Sequence, residues 1–576
     1  MKRIISFFAL LSLAASLALL CFFNYHWTVP AYHLLVMALV YGGLFLLNAG
    51  IALFVGHRPT RSALLYGVNG LFFFSLTQFY LLMLGSNFFW NKTITLPILG
   101  NYFFSLPDFI GIMPVEKWIS GLLLLLYLGL LAALFGWLRP RPDGLQAAVQ
   151  PWKQPANRKK SWMAATGLLV LAVLFHQQLW ALKRVMHFAE EPLLEFTLGE
   201  MWGKENDLAF DRVRYQKGLN DRPCIDSVRP NTQSGRSIIL ILADALRSDH
   251  LPFYGYDRQT APFLDSLYRQ QKLQVVKNAF SPSTMTIGGI SGLFFSRSWN
   301  EFGYNGLSLM KFMKLSGYRT YAFLTGFHRD WYGLSALYRG NCDYYYESSK
   351  NPRVQNDDDL QTLQEFRNTP LPANSFVYLH LLSTHMLGKR NQPFRKFLPD
   401  KIGLTTGKET ALVNNYDNGV LQADYVIRQV FDHLKQQNLL QNATVFIVAD
   451  HGELFGENNA WRHGGSVHEK LISVPLLIYD QDRDWYKNLE GATLLDVAPT
   501  VAERIQSPVP GCWQGRSLHA PPADFELEIN SVEACSQPYG TLSKTGDVYH
   551  LSIRNNEKTV ERVVEKRKDI WHPVSP

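Results

Sequence analysis

The sequence predicts a two-part chain: an α-helical membrane domain of five transmembrane helices, then an α/β domain with a mainly parallel sheet covered by helices. Three observations carry this expectation. Charged residues make up only 18% of the 576 residues, against 47% hydrophobic, where soluble domains carry about 25% charged. Five apolar stretches precede residue 185. Beyond them, short β-branched and aromatic runs alternate with amphipathic stretches. These totals exclude collagen-like, disordered and small disulfide-scaffold classes.

The apolar stretches cover residues 4–23, 31–55, 64–84, 118–138 and 162–181. Each is near the ~20 residues that cross a hydrocarbon core. Lys2 and Arg3 precede the first, as in a signal peptide, but its apolar run is long and another follows at once. It is therefore expected to remain as a helix. Loop 56–63 carries Arg58 and Arg61. Loop 139–161 carries Arg139, Arg141, Lys153, Arg158, Lys159 and Lys160. The alternate loops hold none (24–30) or only Lys92 and Lys117 (85–117). The positive-inside bias places the N-terminus in the cytoplasm and, with five spans, everything after about residue 185 on the other side of the membrane. The expected domains are thus 1–185 in the membrane, 186–235 as linker and entry segment, and 236–576 as the exported domain.

The net charge of +8 is largely this topological signal, so no nucleic acid is expected as a partner. Loop 85–117 is rich in aromatics (Phe88, Phe89, Trp90, Tyr102, Phe103, Phe104) and is expected in the outer interface. Cys21 lies in the first stretch. Cys224, Cys342, Cys512 and Cys535 all fall in the exported part, where three pairings are open.

In that part, strands are predicted at 237–243, 274–280, 319–325, 375–381, 444–449 and 474–479, and helices at 261–271, 307–316, 419–437 and 496–505. Such alternation argues for a parallel sheet covered on both faces. In open sheets of this kind, ligands bind beyond the carboxyl ends of the strands. Those ends carry Asp244, then Ser283, Thr284 and Thr286, then His380 and His385, then Asp450 and His451, followed by Glu453, Glu457 and His463. Asp, Asp, His and a Thr oxygen make an oxygen/nitrogen shell suited to a divalent metal, zinc above all. Taken singly, each also has an ordinary reading: Asp244 as a helix N-cap, Thr284 as a turn residue.

The string Asp450-His451-Gly452-Glu453-Leu454-Phe455-Gly456-Glu457, with His463 six residues on, resembles the C-terminal metal motif of the alkaline phosphatase and sulfatase superfamily. Its closest resemblance is to the membrane phosphoethanolamine transferases. Asp244 stands where those enzymes place a metal-binding Glu. Arg247, Asp249, Gly255-Tyr256 and Pro262-Phe263-Leu264 follow at the family's spacing. Thr284, ten residues before Phe294, resembles the nucleophile segment, with Thr286 as rival. His380 and His385 match a strand-end His pair, and Leu495–Thr500 and Gly515–Leu518 match general superfamily features. Lipoteichoic-acid synthases share the five-helix plan.

The sequence also departs from the family. The sulfatase Cys/Ser-x-Pro-x-Arg signature is absent, Asp244 is followed by Ala245, and Ser291-Gly292-Leu293 replaces the transferases' Pro-Cys-Met. The donor-headgroup residues of the transferases' membrane loop have no match in 85–117.

The resemblance implies Zn²⁺ held by Asp244, Thr284, Asp450 and His451, with Thr284 as nucleophile. It implies that His385 and His463 bind phosphoryl oxygens or a second zinc, that one of them protonates the leaving group, and that Arg247 contacts substrate. The implied activity is transfer of phosphoethanolamine or phosphoglycerol from a phospholipid donor to a lipopolysaccharide or glycan acceptor through a phospho-threonine. Two alternatives keep the same fold: a metal-dependent sulfuric-ester or phosphodiester hydrolase, and a non-enzymatic inner-membrane lipid regulator.

Overall fold

The computed structural model describes residues 27–90, 191–197 except 195, 221–228, 235–530 with short gaps, 548–556 and 559–564, with isolated positions elsewhere. The chain separates into two units, residues 1–99 with 117–201, and residues 100–116 with 202–576.

In the first unit, α1 (Thr28–Phe54) and α2 (Arg58–Trp90) match the second and third apolar stretches. Each contains a segment long and apolar enough to cross a membrane, Thr28–Ile51 and Pro59–Leu84. The first, fourth and fifth expected spans, and loops 91–117 and 139–161, lie outside the described residues apart from isolated positions. Pro59 sits in the first turn of α2, where its missing N–H costs nothing. Asn48 and Asn69 exchange side-chain amide hydrogen bonds of 3.2 and 2.7 Å between the helices. Such polar pairs fasten helices that lipid alone would not drive together.

A second polar chain joins more distant parts of this unit. Glu191 accepts from the amides of Leu193 and Leu194 and also pairs with His33 Nδ1, both side chains being fully buried. His33 Nε2 meets the Tyr80 hydroxyl at 2.9 Å, and Tyr80 donates to Ser12, which bonds Tyr41. Leu193 and Leu194 pack on Tyr32 and Val36 of α1. The segment expected to begin the linker at 186 therefore packs, at 191–194, on α1.

The second unit is built on a seven-stranded sheet. Its strands are β1 (Ser237–Ala243), β2 (Leu273–Val275), β3 (Arg319–Leu324), β4 (Tyr344–Glu347), β5 (Ser375–Leu381), β6 (Ala443–Val448) and β7 (Leu476–Tyr479). Their order is β2-β7-β6-β1-β5-β3-β4. Only β7 runs against the rest. β1 reads Ser-Ile-Ile-Leu-Ile-Leu-Ala and is buried at every position, as a strand covered on both faces requires. Ala243 pairs with Leu381 and Leu242 with Val448. The carboxyl ends of β1, β5 and β6 therefore lie side by side at the centre of one rim.

Helices α3 (Pro262–Arg269), α4 (Thr286–Phe295), α5 (Leu309–Leu315), α6 (Asp359–Asn368), α7 (Lys408–Gln436) and α8 (Val497–Arg504) belong to the same unit. Strand 274–280 is split: Leu273–Val275 joins the main sheet, and Asn278–Phe280 pairs in parallel with Gly491–Thr493. A short helix at Arg222–Ser227 carries Cys224, which forms a disulfide with Cys512, while Cys342 is a free thiol. A small antiparallel sheet of Phe525–Asn530, Val548–Asn556 and Thr559–Val564 follows.

Candidate active site

Three groups meet on the rim: Asp244 after β1, and Asp450 and His451 after β6. All are fully buried, and each offers a ligand atom within 4.8 Å of the others. Each side chain is pinned through one atom and leaves the other for the site. Asp450 Oδ1 accepts from the amides of Ala245 (3.1 Å) and His451 (3.0 Å), while Oδ2 has no hydrogen-bond partner. Asp244 Oδ2 meets His380 Nε2 at 3.1 Å, while Oδ1 is unpartnered. His451 Nδ1–H donates to the Gly452 carbonyl (2.8 Å), which turns the lone pair of Nε2 toward the carboxylates.

Nε2 lies 3.7 Å from Asp244 Oδ1, 3.5 Å from Asp450 Oδ2 and 3.0 Å from the hydroxyl of Thr286. Donors bonded tetrahedrally to one zinc at ~2.0–2.1 Å stand about 3.3–3.4 Å apart, so this spacing is that of a ligand shell. The electrostatics agree. Burial, and then the Asp450 carboxylate, hold the Asp244 carboxyl well above its usual range. A buried pair of like charges is relieved by a bound cation.

The hydroxyl brought to this group is that of Thr286. Thr284 Oγ1 is buried without a hydrogen-bond partner, and its carbonyl accepts from Gly464. Thr286 is the first residue of α4, so its hydroxyl sits at the electropositive end of a helix. Two glycines permit the approach. A Cβ on Gly289 would lie 2.2 Å from the Asp450 carbonyl, and one on Gly288 would lie 2.2 Å from Ser283 Oγ. Ala245, beside Asp244, is held at φ 61°, with its carbonyl accepting from Tyr416. Strain of this kind clusters at functional sites.

The remaining expected residues divide. His463 lies with its ring 4.2 Å from that of His451 and 5.2 Å from that of His385. Its Nδ1–H donates to the buried Glu453 carboxylate at 3.1 Å. His385 Nδ1 accepts from the Leu387 amide. Burial, and then the neighbouring imidazoles and arginines, hold its pKa well below normal, which favours the uncharged ring.

His380 does not face these rings as a partner of His385. It lies between the Tyr378 hydroxyl and Asp244 and orients that carboxylate. Burial first of all lowers its pKa to about 4. Arg247, expected on substrate, is committed elsewhere. Its three guanidinium nitrogens bond Asp249, Glu457 and the Glu453 carbonyl, and it is 1% exposed. It ties the turn after β1 to the loop after β6. Glu453 and Glu457, read in the sequence only as parts of a motif, thus act as supports for His463 and Arg247.

Residues 236–507 match the sulfatase family model. The chain is 26% identical over 277 residues to the Kdo(2)-lipid A phosphoethanolamine 7''-transferase of Salmonella typhimurium, covering 44% of this chain and 46% of that protein. It is 26% identical over 273 residues to phosphoethanolamine transferase EptC of Escherichia coli, covering 43% and 45%. The chain thus spans about half the length of these curated relatives. Among solved structures, the zinc complex of the C-terminal periplasmic domain of EptC from Escherichia coli matches with TM-score 0.45 and 21% identity, over 55% of this chain and 95% of that one. The integral membrane lipooligosaccharide phosphoethanolamine transferase A of Neisseria meningitidis matches with TM-score 0.47 and 15% identity, over 88% and 97%. Residues 236–507 of this chain are a sulfatase-family domain.

Proposed function

We propose that this protein is a membrane-bound, metal-dependent transferase that moves a phosphoethanolamine or phosphoglycerol group from a phospholipid to a cell-envelope glycolipid or glycan. The observation that carries the reading is the convergence of the Thr286 hydroxyl on Asp244, Asp450 and His451 at the start of α4. The names of the relatives, phosphoethanolamine transferases, point the same way. The catalytic domain is then periplasmic and the N-terminus cytoplasmic, in the inner membrane.

Asp244, Asp450, His451 and the Thr286 oxygen would hold the cation, zinc by its mixed O/N donor set. Bound there, it lowers the pKa of the threonine hydroxyl and offsets charge on the phosphoryl oxygens. Thr286, rather than Thr284, is the nucleophile in this reading. Its Oγ1 gives its proton to solvent water and attacks phosphorus, and the amides opening α4 favour the negative oxygens. Neutral His385 donates a hydrogen bond to one of them. His463, oriented by Glu453, delivers a proton to the departing glycerol oxygen. The lipid leaves as diacylglycerol and Thr286 carries the phosphodiester. An acceptor hydroxyl then attacks phosphorus and gives its proton to His463, the P–Oγ1 bond breaks, and Thr286 Oγ1 regains a proton from solvent water.

Diacylglycerol release from phosphatidylethanolamine vesicles by the zinc-loaded full chain tests this. Release that is stoichiometric without acceptor and multiplies with acceptor supports transfer. Sustained turnover into free phosphoethanolamine with water alone would make it a hydrolase. No release would leave the regulator reading.

A further inference from the structure

The chain places three acids in a row, Asp357-Asp358-Asp359, and such runs usually stay in water. The third is nevertheless fully buried. Asp359 is the first residue of α6, yet the cap of that helix is Asp358, which accepts from the Leu360 amide at 3.0 Å. The two oxygens of Asp359 go to another part of the chain. Oδ1 accepts from the Leu382 amide at 2.8 Å and Oδ2 from the Ser383 amide at 2.9 Å. Burial pushes this carboxyl above its usual range, and the amides pull it back. A carboxylate held so deep for two amides has a reason in what those amides carry.

Leu382 and Ser383 follow β5 directly and open the turn that bears His385. The His385 amide donates to the Leu382 carbonyl at 3.0 Å, and the Gly388 amide to the His385 carbonyl at 3.0 Å. Thr384, between them, gives its hydroxyl to the Asp244 carbonyl at 2.7 Å. Arg390 Nη1 donates to the carbonyls of Met386 and Gly388. An acid thus takes the amides at the start of the loop, and a base takes the carbonyls at its end. The fit is close on two further sides. A Cβ on Gly388 would lie 1.6 Å from the Leu382 carbonyl oxygen, and one on Gly419 of α7 would lie 2.0 Å from that of Ser383.

The same turn decides how His385 acts. Its Nδ1 accepts from the Leu387 amide at 3.2 Å, so the uncharged ring carries its proton on Nε2. The ring stands 5.2 Å from that of His463, which stands 4.2 Å from that of His451. We propose that Asp359 is a positioning residue: by holding the Leu382 and Ser383 amides, it aims the Nε2–H of His385 at a phosphoryl oxygen beside Thr286. Asp359 itself touches no substrate. This rests on the transferase reading above and adds to it the group that sets its hydrogen-bond donor.

Asp359→Asn keeps the shape of the side chain but turns N–H groups toward one of the two amides. In the zinc-loaded full chain in phosphatidylethanolamine nanodiscs, this change should slow diacylglycerol release about 10–100-fold, with KM and zinc content little changed. In a His385→Ala background it should slow release little further, because the group it aims is gone. Equal slowing in both backgrounds would overturn the proposal and leave Asp359 as a support of the fold. Loss of zinc would overturn it too, by assigning Asp359 to the metal site. Asp359→Glu keeps both oxygens and should recover part of the rate. A Glu variant slower than Asn would point to packing instead and count against the proposal. Calorimetric binding of inorganic phosphate needs no turnover and separates this proposal from the transferase reading. Binding weakened about ten-fold by Asp359→Asn, and not further weakened once His385 is Ala, supports the positioning role even if no phospholipid is cleaved. Binding that Asp359→Asn leaves unchanged, or weakens equally with and without His385, sinks it even if transfer holds.

Discussion

The Thr286 hydroxyl donates to His451 Nε2 across 3.0 Å, and this one contact joins the first residue of α4 to the end of β6. The direction follows from the other side of the ring, where Nδ1–H is already given to the Gly452 carbonyl. Thr286 thus reports on the same lone pair that a metal would take.

Metal content should follow the pinned atoms. Asp450→Asn keeps the shape of the side chain but replaces a carboxylate oxygen, and the purified full chain should lose most of its zinc by elemental analysis. His380→Ala removes only the group that orients Asp244. Loss of such a support typically weakens metal affinity about 10–100-fold. His380→Ala should therefore still bind zinc, with the affinity measured by chelator competition. Unchanged affinity would remove His380 from the orienting role.

Arg247 is expected to hold the domain together rather than to touch substrate. Arg247→Ala leaves the Glu453 carbonyl without its donor and Glu457 with Lys470 as its remaining cation, and a loss of this kind costs about 1–3 kcal/mol. A chemical denaturation curve of the full chain should shift accordingly. A variant of unchanged stability but raised KM would return Arg247 to substrate.

Acid should act through the same pair. Burial alone would raise the Glu457 carboxyl, but the charge and hydrogen bond of Arg247 and the backbone amides outweigh it and bring it to about 2. Because the folded value lies below the unfolded one, the stabilisation is present above about pH 4.5 and is lost as pH falls toward 2. Glu457→Gln should flatten that part of the stability–pH curve, by about 2 kcal/mol at most. If wild type and variant lose stability in parallel over this range, the pair is not the cause.

Gly289→Ala tests the close approach of α4. Its added methyl would meet the Asp450 carbonyl at 2.2 Å, and overpacking of this kind costs roughly 1–3 kcal/mol. We expect lowered stability together with reduced zinc, because the atom displaced belongs to a proposed ligand residue. Substitution with neither effect would mean that the helix start is not held against β6.

In the first unit, Glu191 both caps a helix turn and pairs with His33. Glu191→Ala should lower the thermal midpoint of the full chain in detergent, since removing one partner of a buried pair costs about 3–5 kcal/mol. The double variant with His33→Ala should cost less than the sum of the two single variants. Additive losses would show that the two side chains do not depend on each other.

Much of this site was legible because β1 and β6 are unbroken apolar runs that end abruptly in acids. Asp244, Asp450 and His451 could be placed on one rim from that pattern alone. The register within Ser283–Thr286 was not legible. Met285 offers no capping side chain to mark the start of α4, and Gly288-Gly289 reads as a turn until the Asp450 carbonyl is seen behind it. The first turns of α7 were missed because their polar residues carry little apolar periodicity. Strand β4 was missed because Tyr344-Tyr345-Tyr346 does not alternate. Arg247 lies at the family's spacing, but spacing does not reveal that Asp249, Glu457 and a carbonyl already occupy it.

The central claim is that Thr286 carries the group during transfer. Intact-protein mass spectrometry of the zinc-loaded full chain, after phosphatidylethanolamine and before acceptor, tests it most directly. A phosphoethanolamine adduct on wild type and on Thr284→Ala, absent from Thr286→Ala, is the predicted result. An adduct that persists in Thr286→Ala and vanishes in Thr284→Ala would contradict it.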